Sequence, residues 1–349
     1  MDISETVDVH AGRDSSAERK LLVLAPAAAA LVYPYLLKGF HLSLGSPGGP
    51  TSIAGMPLAA MCLLGAIAVP GFGLAYAGRL NRTTFPSSFE LRARRLAYLT
   101  IASPPLFVFT GVSSGLLGGP LSDETVWIAG WLAAAAFAWL GSRSVIQPIG
   151  SPNTGWRITH GVSGALIACF VLFHLTNHLL GWMGPDVHKA IMERGRDIYR
   201  SPLIEPLLVA LLMFQVVSGL RLAWRWSALP ADGYRVFQIG SGVYLAAFVV
   251  AHLNSALVSA RALRNIETDW AWASGAPAGL IYDPWNIRLL PHYAFGAFFV
   301  LAHLSSGLRQ VLRAHRVSAA VADRVWVAGL VTSGLISIAI ISGLLGARI

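Results

Sequence analysis

The chain has 349 residues, of which 55% are hydrophobic and 12% charged, with a formal charge of +9 and a mean hydropathy of +0.59. Soluble domains carry about 25% charged residues, so this composition excludes a soluble enzyme, a disordered chain and a nucleic-acid-binding module. The positive charge does not restore a polyanion partner, because the basic residues collect at the ends of apolar runs, where a bilayer protein places them.

Residues 1–20 are polar and of mixed charge, and read as a tail without structure of its own. Beyond them the sequence predicts an all-α polytopic membrane protein. A spanning helix needs roughly 20 mostly apolar residues. Nine runs meet that need: about 21–38, 55–78, 95–118, 124–142, 159–181, 203–224, 236–260, 289–312 and 324–346. Pro70, Pro104 and Pro105 predict kinks in the second and third runs. Cys62 and Cys169 sit inside apolar runs, so no disulfide framework or thiolate cluster follows. Of the 26 Lys and Arg residues, 17 fall on one side of this layout and 9 on the other. The excess predicts a cytoplasmic N-terminus, in a bacterial inner membrane or its equivalent.

Chemistry is unevenly spread. Eight of the ten histidines follow residue 150. The chain therefore divides into an N-terminal four-helix part, residues 21–148, of no evident chemical role, and a five-helix part, residues 149–349. The break is expected near 148–156, where Pro, Gly, Asn and Ser collect.

The five-helix part repeats itself. Ser163-Gly164, nine residues and His174 recur as Ser241-Gly242, nine residues and His252. Gln215-Val-Val-Ser-Gly-Leu-Arg221 recurs as His303-Leu-Ser-Ser-Gly-Leu-Arg309. Two different motifs returning in the same order mark two related helix pairs. Eleven residues at 100° each bring Ser163 and His174 onto one helix face, and likewise Ser241 and His252. At ~1.5 Å per residue, His174 and His252 reach the same depth in the outer half, and His303 lies in the inner half. Intramembrane ionisable residues point to function. Two histidines at equal depth on facing helices suit the two axial positions of a haem iron.

On these residues the five-helix part, about 156–346, resembles the membrane-anchor cytochrome b of succinate dehydrogenases and fumarate reductases, in its single-chain form. The resemblance implies haem b, with His174 and His252 as the outer axial pair. It places His303 as one inner ligand and Gln215 where the other would stand. The family's H-x3-G-x-R element is His303 to Arg309, followed here by Gln310. Its S-x2-H-R-x-S/T element is RITHGVS, with Arg157 and Gly161 in place of the Ser and Arg that help shape a quinone site. The resemblance further implies a quinone, and flavoprotein and iron–sulfur partner subunits.

The expectation is one haem at His174 and His252, and an inner site that is empty or binds haem weakly. Gln215 also reads as an interhelical hydrogen-bonding residue. Arg221 and Arg309 suit snorkelling at inner helix ends, or pairing with a haem propionate as the resemblance implies. His160, His188, His292 and His315 read as ordinary interface or loop residues, and His178 as a residue that could replace a ligand on its helix but lies too near the outer surface to partner His303. Trp270, Trp272, Tyr282 and Trp285 suit an aromatic belt. The competing functions are a haem-free membrane scaffold or a transporter keeping the same fold. The absence of Asp, Glu and Lys from the middles of the last five runs disfavours an ion pump.

Overall fold

The computed structural model describes residues 11–45, 55–82, 84–142, 144, 150 and 153–349, with backbone alone for 11–23. Residues 1–10 of the expected tail, and residues 148, 149, 151 and 152 of the expected break at 148–156, lie outside the described residues. The described chain is helical, with no strand. In order it forms α1 (Ala11–Leu44), α2 (Gly55–Leu80), α3 (Ser88–Ile101), α4 (Ser103–Leu117), α5 (Asp123–Trp139), α6 (Thr154–Leu180), α7 (Pro185–Tyr199) and α8 (Ile204–Trp226). There follow α9 (Gly233–Leu253), a π-helical extension of it (Asn254–Leu263), α10 (Trp270–Ala273), α11 (Gly279–Tyr282), α12 (Leu289–Ala314) and α13 (Ala319–Leu344).

Six of these, α2, α6, α8, α9, α12 and α13, are long and apolar enough to cross a membrane. A bilayer is the solvent such helices require, and the chain is an integral membrane protein. The count differs from nine for physical reasons. The run at 95–118 is two helices, α3 and α4, bent by 72°, and counts as a seventh span only if the pair is taken together. Pro104 and Pro105 open α4 and cannot donate to the preceding turn. The carbonyl of Thr100, which Pro104 leaves unserved, accepts instead from Ser103 Oγ at 2.8 Å. The fourth run yields α5, which has 17 residues. That is ~26 Å of helix against a hydrocarbon core of about 30 Å. The first run lies within α1, whose apolar stretch begins among residues described by backbone only.

Local sequence explains the helix ends. Ser87 and Glu90 make a reciprocal capping box at α3. Ser122, Asp232 and Ser318 cap α5, α9 and α13. Inside α1, Pro34 frees the carbonyl of Ala30. Trp127 Nε1 of α5 fills it at 2.8 Å, as a kinked helix among neighbours requires.

The centre of the molecule is α9, which packs against α8 and α12 on one side and against α2, α3 and α4 on another. Ala77, Tyr98 and Ile101 share one buried cluster with Val236, Tyr244 and Phe299. Arg94 of α3 is fully buried there and donates to the carbonyls of Ser227 at 2.9 Å and Leu80 at 2.8 Å. At the opposite end Arg288 pairs with Asp123 at 2.7 Å and lies over Phe107. Polar ties therefore hold the N-terminal helices to the histidine-bearing ones at both ends.

Candidate functional site

The repeat becomes two layers of matched contacts, α6 with α8 and α9 with α12, and a third layer in which α6 and α9 themselves meet. At the first layer Arg221 lies over the Trp156 ring at 4.6 Å, and Arg309 over the Tyr234 ring at 3.5 Å. Trp156 and Tyr234 stand seven residues before Ser163 and Ser241. Arg309 also donates to Asp323 of α13 at 2.8 Å.

The second layer is a hydrogen bond made twice. Ser163 Oγ donates to its own helix at Thr159 O, 2.7 Å, and accepts from Gln215 Nε2 at 2.6 Å. Ser241 Oγ likewise reaches Gln238 O at 3.2 Å and stands 2.9 Å from His303 Nδ1. With the imidazole N–H on Nδ1, His303 Nε2 is the ring's lone-pair nitrogen. Gly242 eases the approach, since a Cβ there would stand 3.2 Å from His303 Cε1, whereas a Cβ at Gly164 would stand at an ordinary 3.6 Å from Gln215 Nε2. Gln215 also donates to His160 O at 2.9 Å, and His160 Nδ1 meets Ser218 Oγ at 2.8 Å.

The third layer lies 11 residues beyond each serine, ~16 Å along the helix. His174 and His252 face one another with ring centroids 6.1 Å apart and planes 68° apart. Each ring is stacked on the phenylalanine four residues before it. Phe170 lies 5.7 Å from His174 at 19°, and Phe248 lies 5.6 Å from His252 at 9°. Among the described residues neither imidazole has a hydrogen-bond partner. A metal–imidazole bond is about 2 Å, and the ring centre lies about 1 Å deeper, so two rings flanking one iron stand ~6 Å apart between centroids. The centroid separation of the pair matches that distance. No group of three or more His, Cys, Asp or Glu among the described residues is placed to hold a bare metal ion; a haem asks for two axial ligands.

The structure thus brings His174 to His252, Ser163 to Gln215 and Ser241 to His303, and sets Arg221 and Arg309 on aromatic rings. It also gathers histidines that lie outside the repeated motifs. His178 lies 4.8 Å from His174, and His188 lies 5.3 Å from His178 and 4.8 Å from Trp270. His292 lies 4.6 Å from Phe248. His188 and His292 are almost fully buried, and neither nitrogen of His188 has a partner. The segment around His188, expected as loop, is the amphipathic helix α7. Its buried residues His188, Met192 and Gly195 fall at i, i+4 and i+7, a stripe legible in the sequence.

Burial pushes the His188 imidazole down to about 4, helped by the Arg196 guanidinium and opposed by Asp269. The folded value lies below the ordinary 6.5, so the unfolded chain takes up the proton first. The stability is present above about pH 6.5 and is lost as pH falls toward 4. The expected loss is on the order of 2–3 kcal/mol at most. His188→Gln should flatten the fall in thermal unfolding temperature over that window. An equally steep fall in the variant assigns the acid sensitivity elsewhere.

No protein family, curated protein or solved structure matches the chain, and the side chains themselves carry the functional reading.

Proposed function

We propose that the chain is a membrane-embedded b-type cytochrome that carries electrons between a quinone and a partner redox subunit. The observation that carries this reading is the His174–His252 pair, facing at 6.1 Å between centroids. His174 and His252 would hold the iron, and haem bound there supplies a one-electron carrier. The chain's own part is to fix the rings. Phe170 and Phe248 set their planes, and the duplicated Ser-Gly start sets the depth. The likeness to the anchors of succinate dehydrogenase and fumarate reductase supplies the rest: a quinone as one redox partner, flavoprotein and iron–sulfur subunits as the other. The excess of basic residues at one end supports a cytoplasmic N-terminus.

The test is a reduced-minus-oxidised visible spectrum and a pyridine haemochrome assay on the protein purified from haem-replete cells. One haem per chain is expected. A colourless protein from such cells refutes the reading and leaves a haem-free scaffold.

The second layer gives an engineering prediction. A histidine at 215 would donate Nδ1–H to Ser163, as His303 does to Ser241, and present Nε2 as a ligand. Gln215→His should therefore raise haem content from one toward two per chain. A variant that stays folded at one haem shows that the two inner positions do not face a common iron.

A further inference from the structure

We propose that the cleft beside the α8–α9 turn binds the phosphate group of an anionic lipid. The inference does not depend on haem. The cleft, of about 470 Å³, lies at the arginine end of the bundle and is lined by Trp226, Asp232, Arg235, Arg309, Gln310 and Arg313. Arg157 adds a fourth guanidinium, 6.0 Å from the Trp226 ring and within electrostatic reach of Arg235. The repeat explains the crowding. Arg157 and Arg235 each follow the aromatic residue that opens their copy, and the two copies meet on Trp226, which Arg235 approaches to 4.2 Å.

The charges do not balance. Arg309 is paired with Asp323 at 2.8 Å. Asp232 Oδ1 caps α9 by accepting from the Arg235 backbone N–H at 2.8 Å. Four guanidiniums set against these two carboxylates leave an excess of two positive charges. Like charges held together at a helix end favour an anion, and guanidinium forks match phosphate oxygens two at a time. The apolar surroundings select a lipid over a free phosphate. The helices that border the cleft are apolar on their exposed faces at this end: Leu308 and Val311 adjoin Arg309 and Gln310 in the sequence of α12, and Leu220 and Trp224 precede Trp226 on α8; all four are exposed. Acyl chains of a lipid held in the cleft would run along such helix faces. Basic pockets between spanning helices are suited to anionic headgroups.

The experiment uses the full chain in neutral detergent. Dioleoyl phosphatidylglycerol and dioleoyl phosphatidylcholine are each titrated in, and bound lipid is counted by native mass spectrometry. Phosphatidylglycerol should be retained at a concentration at least about tenfold lower than phosphatidylcholine. Arg235→Gln with Arg313→Gln should weaken its retention roughly thirtyfold, and Arg235→Lys with Arg313→Lys should fall between that variant and the unaltered protein, since lysine keeps the charge and loses the fork. Excess inorganic phosphate should leave the lipid bound. Equal retention of the two lipids by the unaltered protein overturns the proposal, whatever the variants do. Displacement of the lipid by inorganic phosphate also overturns it, by making the ligand a soluble phosphate. Undiminished retention in the folded glutamine variant removes the cleft as the site.

Discussion

His252→Ala should abolish the reduced-state absorption bands and lower haem content by more than about tenfold, since an axial bond has no substitute on α9. His174→Ala should do the same or shift the bands, because His178 sits one turn away on α6, with its ring 4.8 Å from that of His174. The alanine at 252 is therefore the cleaner test. The next imidazole on that side, His292, is separated from the position by the Phe248 ring, which lies 4.6 Å from it. Both variants should keep native helicity. The histidines lie in the third layer of contacts, and the packing that holds α9 runs through other residues. Stoichiometric haem with an unchanged spectrum in either variant would sink the assignment of the pair.

The second large effect concerns Arg94. Its guanidinium donates to the carbonyls of Leu80, Ser227 and, at 3.4 Å, Leu229, so it joins the end of α2 to the turn between α8 and α9. Arg94→Leu should destabilise the protein by about 3–5 kcal/mol. Each buried carbonyl left without a donor costs roughly 1–3 kcal/mol, and the leucine returns part of that through its own burial. Thermal unfolding in detergent reads the change. Arg95→Leu is the control. Arg95 lies over the Trp224 ring at 3.3 Å and donates to Trp224 O at 3.1 Å and Ser227 Oγ at 3.2 Å, but it is partly exposed and water can replace those bonds, so its loss should cost far less. Equal penalties for the two would show that Arg94 acts only through its volume.

Hydropathy placed the later helices closely. The runs at 203–224 and 289–312 correspond to Ile204–Trp226 and Leu289–Ala314. A bilayer requires continuous apolar helix, so length and composition carry that information directly. The 72° bend at Ala102 was legible as a kink at Pro104 and Pro105 but not in size, because the angle is set by what α3 and α4 pack against. Helix α7 was hidden differently. Its 15 residues are too polar for a span, so hydropathy passes over them, although their 3.6-residue period is plain. The pairing of Ser163 with Gln215 needed the structure, since helical spacing fixes a face and not a neighbour. The stacking phenylalanines were within reach: an aromatic four residues before each histidine is part of the same repeat.

The stacking of Phe170 on His174 and of Phe248 on His252 gives the chain a natural replicate. The same contact is made twice by one polypeptide, in two surroundings. Helix α9 packs against the N-terminal helices, whereas only Ser163, Ile167 and Asn177 of α6 are buried within the chain. Phe170→Ala and Phe248→Ala remove identical atoms from the same histidine contact, so any difference between their penalties reports the surroundings, Tyr199 at one and Tyr244 and His292 at the other. The double variant then measures whether the two copies communicate. Penalties that add describe two independent clamps, and penalties that do not add describe one shared object held between them.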